Sequence, residues 1–161
     1  AAVEVEGSAR AFAPLLHDRP LTGLEGKFSL QYAVAAALED GRVTLASFED
    51  AAVRRDAIQA FMPRVTGREG TGPLNPRYAD IAVRLKDGRT LRRRVEALRG
   101  GPDMPLTDAQ LAEKLADCMA HAGLRADAGA IAALILDPAD RPVAAVLDLL
   151  DVPARAAAAA E

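Results

Sequence analysis

The sequence predicts an α+β fold, with a small antiparallel sheet, helices largely on one side of it, and further helices at the C-terminal end. Two alternating runs on either side of Asp87-Gly88 predict a β-hairpin. Val3 and Val5 alternate with glutamates, which predicts another short strand. Helical patterns lie between and after these strands, and segregated strand and helix signals are typical of α+β domains.

The first helix is predicted from Lys27 to Asp40, with Gly41 as the residue that ends it. Its apolar residues cover most of its circumference, so we expect the sheet to cover one face and another domain or subunit to cover the rest. A second helix is predicted from Ser47 to about Met62, continuous or with one break. Ser47 is interpreted as its capping hydroxyl because an acidic residue follows three positions later.

The length of the turn decides the register of the hairpin. A two-residue turn pairs Lys86 with Arg89 and places arginines on the apolar face. A three-residue loop with Gly88 in the left-handed region pairs Val83 with Leu91 instead. The second register is preferred because it gathers three arginines on the other face, namely Arg84, Arg92 and Arg94.

Arg93 is the exception in this register, because it falls on the apolar face. It is expected either to reach a rim or to pair with an acid such as Glu96 or Asp80. For the run from Arg92 to Arg94, an edge strand protected by charge is a better explanation than contact with nucleic acid.

The C-terminal part begins with a predicted capping box, Thr107 and Gln110, and its helix ends at Gly123. Cys118 is interpreted as a small core residue of that helix and His121 as a surface residue. Two shorter amphipathic pieces follow, near 128–136 and 142–150. The predicted domains are therefore an α+β domain over 1–105, a helical segment over 106–150 and a low-complexity tail over 151–161.

Composition excludes several function classes. A single cysteine forms no internal disulfide, and two histidines offer no cluster with metal-ligand spacing, so no metal site is expected. The net charge of −3 disfavours nucleic acid and anionic membranes as partners. No apolar run reaches the roughly 20 residues that span a bilayer, and no signal peptide is evident, so a cytoplasmic location is expected.

The candidate site lies at the start of the first helix, where Lys27, Ser29 and Tyr32 stand close together in sequence. Unpaired N–H groups and the positive end of the helix dipole attract anions there, and Gly23 and Gly26 allow the main chain to approach a ligand. A small carboxylate suits this arrangement. Lys27 and Ser29 can equally serve the helix end alone, and a tyrosine at such a position is more often a packing residue.

Three stretches, LEGKFSLQYAVAAALEDG, ADIAVRLKDGRTL and GGPDMPLTDAQLAEKLADCMAHAG, resemble consecutive segments from the C-terminal half of the MmgE/PrpD family. That family includes 2-methylcitrate dehydratase, cis-aconitate decarboxylase and iminodisuccinate epimerase. The resemblance covers roughly Pro20 to Gly123. It implies that the first part of the chain is a lid domain of the MmgE/PrpD type, which partners a helical N-terminal domain of the same protein in a homodimer.

The resemblance also implies a site between lid and helical domain. Tyr32 matches an active-site tyrosine of the family. It would either donate a hydrogen bond to a substrate carboxylate or relay a proton, and the donor role is favoured because a phenol with a reference pKa near 10 is a poor base at neutral pH. Lys27 and Ser29, at the same end of the helix, are the expected substrate-binding residues. The implied chemistry is proton abstraction next to a carboxylate of a small di- or tricarboxylic acid, with no cofactor. The family's catalytic His, Asp and Lys have no matching motif here, and His17 and His121 are not assigned catalysis. Whether the chain is an enzyme therefore stays open: an isolated fragment would be inactive, and the alternative is a noncatalytic interaction module.

Overall fold

The structure is a computed structural model that describes residues 1–124, 127–136 and residue 144. The chain divides into two compact units, Ala1–Met104 and Pro105–Glu161, and each is described by itself. No helix among the described residues combines the length and the apolar character needed to cross a membrane.

The first unit contains a four-stranded sheet in the order β2-β1-β3-β4. Its strands are β1 (Ala2–Gly7), β2 (Val65–Glu69), β3 (Ala79–Arg84) and β4 (Thr90–Val95). β3 pairs antiparallel with both β1 and β4, whereas β1 and β2 pair in parallel. The α+β fold is confirmed. The sheet is mixed because the chain passes through helices between β1 and β2, which is the kind of crossover that a parallel pair needs.

The hairpin between β3 and β4 has the preferred register. Val83 lies opposite Leu91, and the Leu85 N–H donates to the Arg89 carbonyl at 2.8 Å. Gly88 adopts φ 87°, the left-handed conformation that this loop requires. The three arginines Arg84, Arg92 and Arg94 consequently share one face, as predicted.

The acids considered as partners of Arg93 pair with its neighbour instead. The Arg94 guanidinium contacts the carboxylates of Asp80 and Glu96, each at 2.6 Å. Arg93 lies opposite Ile81, on the face of the sheet that carries the core. Of the two alternatives for Arg93, pairing with Glu96 or Asp80 is therefore not the one that the structure shows, because strand alternation turns Arg94, not Arg93, toward Asp80.

The helices of the first unit are shorter than predicted. The helix predicted to begin at Lys27 begins at Leu30 instead, because Ser29 caps it, and Lys27 is the last residue of a separate short helix before it. Ser47 caps no helix; its hydroxyl accepts the Thr44 N–H at 3.0 Å. The elements are α1 (Gly23–Lys27), α2 (Leu30–Asp40), α3 (Asp50–Val53) and α4 (Asp56–Phe61), with 3-10 turns at Ala46–Phe48 and Met62–Arg64.

α2 lies between two apolar clusters. On one side, Leu30 and Val34 pack against the sheet, whose helix-facing residues include Val3, Val5 and Val65. On the other side, the chain's own α3 and α4 provide the cover that the sequence analysis attributed to another domain or subunit. That second cluster contains Tyr32, Ala35, Ala36, Val53, Ile58 and Met62, all buried.

The opposite face of the sheet is charged. Alternation along β1 turns Glu4 and Glu6 away from the core, and Arg68 of β2 forms an ion pair with Glu6. The helices of this unit therefore lie largely on one side of the sheet, as predicted.

The second unit contains α5 (Asp108–His121) and α6 (Ala128–Leu136), which contact each other. The Thr107 and Gln110 capping box is confirmed, and Gly123 adopts φ 70° after α5. The interpretation of Cys118 as a core residue is wrong, since its side chain is exposed while Met119 is buried. The predicted helix over 142–150, apart from residue 144, and the tail over 151–161 lie outside the described residues.

Candidate functional site

Tyr32 is fully buried in the first turn of α2. Its hydroxyl donates a hydrogen bond to the backbone carbonyl of Ser47, and its ring lies 6.0 Å from the Phe48 ring between centroids. Burial raises the pKa of the phenol above its usual value of 10.0. The charge of Arg55 lowers this pKa and the charge of Asp40 raises it, each by less than burial does. The phenol is therefore neutral near pH 7 and can donate a hydrogen bond, but it is not a base.

Ser29 is the N-cap of α2. Its hydroxyl accepts the Tyr32 N–H at 3.1 Å, and the residue is buried. This bond satisfies one of the N–H groups that the helix start leaves without an intrahelical partner. The structure shows the capping contact that was considered for Ser29, and the predicted contact of Ser29 with a substrate stays a prediction.

Lys27 lies in the last turn of α1, where a cation interacts favourably with the helix dipole. The residue is exposed, and its amino group lies 5.9 Å from the centroid of the Phe48 ring. That distance is within the range of a cation–π contact. Lys27 therefore contacts the outer side of the cluster that contains Tyr32.

Gly23 and Gly26 have a packing function. A Cβ on Gly23 would lie 1.7 Å from the Phe48 carbonyl oxygen, and one on Gly26 would lie 3.1 Å from the Tyr32 ring. The Gly23 N–H donates to the Asp50 carboxylate at 2.8 Å. The glycines bring α1 into close contact with Phe48 and Tyr32, and the main chain of Gly23 contacts the domain's own Asp50 carboxylate.

The three predicted site residues meet around packing contacts. Tyr32 and Lys27 both contact Phe48, and Ser29 joins Tyr32 through the N-cap bond. Sequence reasoning did not find Ser47 and Phe48, because they lie 15 or more positions beyond Tyr32 and no local motif links them. The predicted donation from Tyr32 to a substrate carboxylate stays a prediction.

One cavity, of about 300 Å³, lies beside the C-terminal end of α2. Arg55 binds Asp40 there through two hydrogen bonds of 2.8 and 2.6 Å, and this contact lowers the pKa of the Asp40 carboxyl. Ser47, the acceptor of the Tyr32 hydroxyl, also lines this cavity. A second cavity, of about 370 Å³, lies on the charged face of the sheet and is lined by acids and arginines together.

Neither of these two cavities is lined by Lys27, Ser29 or Tyr32. Among the residues that the structure describes, no group of three or more His, Cys, Asp and Glu side chains is arranged to hold a metal ion.

The comparisons with known proteins identify the family. The model of the MmgE/PrpD C-terminal domain matches residues 1–137. Human cis-aconitate decarboxylase is 31% identical over 98 residues, which are 59% of this chain and 20% of the relative. The cis-aconitate decarboxylase-like protein oryM of Aspergillus oryzae is 35% identical over 100 residues, 60% of this chain and 20% of the relative.

The mouse cis-aconitate decarboxylase is similar to the same extent, with 32% identity over 95 residues, 56% of this chain and 19% of the relative. The chain spans about one fifth of the length of these curated relatives. Since the C-terminal domain model covers well over half of the residues, this chain belongs to the MmgE/PrpD family.

Proposed function

We propose that this chain is the C-terminal domain of an enzyme that abstracts a proton next to a carboxylate of a small di- or tricarboxylic acid. Loss of carbon dioxide, loss of water or reprotonation would follow. The match of the MmgE/PrpD C-terminal domain to residues 1–137 carries the proposal. The relatives named cis-aconitate decarboxylase make an unsaturated tricarboxylic acid the first substrate to test.

The proposed partner of the domain is a helical N-terminal domain of the same polypeptide, which would supply the base. The contacts of the predicted site residues support a base that comes from outside this chain. The Tyr32 phenol is neutral and buried, the Ser29 hydroxyl accepts at the N-cap of α2, and the Lys27 amino group faces Phe48. The family's catalytic His, Asp and Lys have no matching motif in this chain, so the isolated chain is proposed to be inactive.

The test compares the complete polypeptide encoded by the gene with the isolated 161-residue chain. Both are incubated with cis-aconitate and with a panel of other di- and tricarboxylic acids, and carbon dioxide release and the products of hydration, dehydration or isomerisation are measured. We expect turnover by the complete polypeptide alone. Turnover by the isolated chain would contradict the proposed inactivity, and no turnover of any di- or tricarboxylic acid by the complete polypeptide would contradict the enzymatic proposal.

The alternative is a noncatalytic interaction module that keeps the family architecture. The observation in its favour is that all three predicted site residues make packing or capping contacts within the domain. The two proposals differ in the effect of Tyr32→Phe on the complete polypeptide. If Tyr32 donates to the substrate, Tyr32→Phe should lower the turnover number of the complete polypeptide. If the chain is a noncatalytic module, the complete polypeptide has no turnover that the substitution could lower.

A further inference from the structure

The charged face of the sheet, opposite the helices, carries acids and arginines on separate strands. β1 presents Glu4 and Glu6 on this face, and β4 presents Arg92 and Arg94. β3 runs between these two strands and contributes Ala82 to the same face. The face therefore has an acidic strand and a basic strand on either side of β3.

Glu4, Ala82 and Arg92 lie at one level of the sheet. Ala82 is the cross-strand partner of both charged residues, which places them about 10 Å apart, twice the spacing of neighbouring strands. The small side chain of Ala82 leaves the space between them open, and the three residues line the cavity of about 370 Å³ on this face. This cavity consequently has an exposed carboxylate on one side and an exposed guanidinium on the other.

Glu4 and Arg92 differ from the next charged residues along their strands. Glu6 and Arg94 each form an ion pair within the domain. In the part of the chain that the structure describes, no ion pair or side-chain hydrogen bond joins Glu4 or Arg92 to another residue. Two opposite charges at the same level are thus available to a partner.

A second copy of the chain carries the complementary arrangement. When the charged faces of two copies meet about a two-fold axis along β3, β1 of each copy lies over β4 of the other. Glu4 of each copy then faces Arg92 of the other, because both residues are level with Ala82. A different partner would need the same spacing of opposite charges, whereas a second copy has it by symmetry.

Two charged residues of β3 limit the strength of this contact. Asp80 and Arg84 lie close to the axis, so each faces its own counterpart in the second copy. Asp80 is already neutralised by Arg94 at 2.6 Å, and Arg84 is exposed at the end of β3, where its side chain can turn outward. A four-stranded sheet also offers a small contact area, so we expect a weak association that depends on salt.

We infer that the charged face of the sheet is a self-complementary surface on which two copies of this chain associate through reciprocal pairs of Glu4 with Arg92. The inference goes beyond the proposed function and does not depend on it, because Tyr32 belongs to a helix on the other side of the sheet. It is also separate from the homodimer that the family resemblance implies. Complete polypeptides that already pair through other residues would be linked by this face into larger assemblies.

The experiment reverses the two charges separately. Glu4→Arg and Arg92→Glu are made in the 161-residue chain, and association is measured by sedimentation equilibrium at low ionic strength. Each variant alone presents like charges at both contacts, whereas a mixture of the two variants presents opposite charges at both. Lys86→Glu, in the exposed turn of the hairpin, has the same charge change as Arg92→Glu and is the matched control. Hydrogen exchange at the sheet amides shows whether each variant is folded.

We expect the wild-type chain to associate as its concentration rises and to dissociate at about 1 M salt, where the screening length is about 3 Å. Each single variant should weaken association by about tenfold or more, because like charges then face each other. The one-to-one mixture should regain the wild-type affinity, and Lys86→Glu should leave the affinity unchanged.

A wild-type chain that stays monomeric at low salt overturns the inference, as does association that salt or either folded variant leaves unchanged. Failure of the mixture to recover overturns it as well, and recovery only in the double variant E4R/R92E would place the pair within one chain. The salt dependence of the wild-type chain is a test that requires no substitution.

Discussion

Replacing Tyr32 with phenylalanine removes one buried hydrogen bond and little else. The hydroxyl donates to the Ser47 carbonyl in a fully buried cluster, and the ring, which contacts Phe48, is retained by the substitution. No cavity larger than an oxygen atom is created. The experiment therefore isolates what this bond contributes to holding α2 against the 3-10 turn Ala46–Phe48.

The expected cost follows from the burial of the bond. A typical hydrogen bond contributes about 1 kcal/mol net, and a buried acceptor that loses its donor costs about 1–3 kcal/mol. We expect Tyr32→Phe to lower the free energy of unfolding of the first unit by about 1–2 kcal/mol. This corresponds to a factor of about 5–30 in the ratio of folded to unfolded molecules.

Native-state hydrogen exchange at the amides of α2 is the appropriate assay, because it reports on the first unit separately from the second. Exchange should accelerate by about 5- to 30-fold in Tyr32→Phe. The control is Tyr78→Phe, whose half-buried hydroxyl contacts Glu6 at 3.4 Å, too long for a strong bond. We expect a change below about 0.5 kcal/mol for the control.

Unchanged exchange in Tyr32→Phe would refute the reasoning, because the Ser47 bond would then contribute nothing to stability. Turnover of the complete polypeptide answers a separate question. A large loss of turnover together with unchanged exchange would mean that the Tyr32 hydroxyl serves the substrate and not the fold.

Three further predictions concern stability and association. Gly23→Ala should destabilise the first unit by about 2–3 kcal/mol, because its Cβ would lie 1.7 Å from the Phe48 carbonyl; hydrogen exchange is the measurement, and Gly72→Ala, with open space around it, should change little. The hydrogen bond from the Leu21 N–H lowers the pKa of Glu25 in the folded state below 4.5. The Glu25 carboxylate therefore stabilises the fold above pH 4.5, and this stabilisation is lost as the pH falls through the lowered pKa. In Glu25→Gln, the free energy of unfolding should depend less on pH in the acid range. Arg93→Val should make the chain associate in sedimentation experiments by removing the charge between Leu91 and Val95, whereas Arg92→Val, on the other face, should not make it associate.

Local signals predicted the elements whose geometry is set by nearby residues. Asp87-Gly88 predicted the hairpin but allowed two registers. The alternation of the flanking strands selected the correct one, because only the three-residue loop places Arg84, Arg92 and Arg94 together away from the apolar face. Thr107 with Gln110 predicted the start of α5 for a similar reason. In each case the determining residues lie within a few positions of one another.

The start of α2 was predicted wrongly although a local signal exists. Thr22 with Glu25 is a capping box and Ser29 is a capping serine, which together specify two short helices. Because apolar residues run through this segment, Ser29 was not interpreted as the cap of a second helix. The burial of Tyr32 has no local signal in the sequence. It depends on the hydrogen bond to the Ser47 carbonyl and on the close contact of Gly23 with Phe48, which form only when distant segments fold together.

Belonging to the family does not by itself locate the substrate-binding groups, as the residues at the start of α2 show. Small and polar residues there resemble a site for an anion, yet the close approach of Gly23 is to a backbone carbonyl and the Ser29 hydroxyl accepts an N–H of its own helix. Groups satisfied within a fold cost energy to redirect toward a ligand. If the Tyr32 hydroxyl contacts substrate, it must leave the Ser47 carbonyl, and the substrate must supply an acceptor at least as strong. A carboxylate is such an acceptor, because hydrogen bonds to charged groups are the stronger ones.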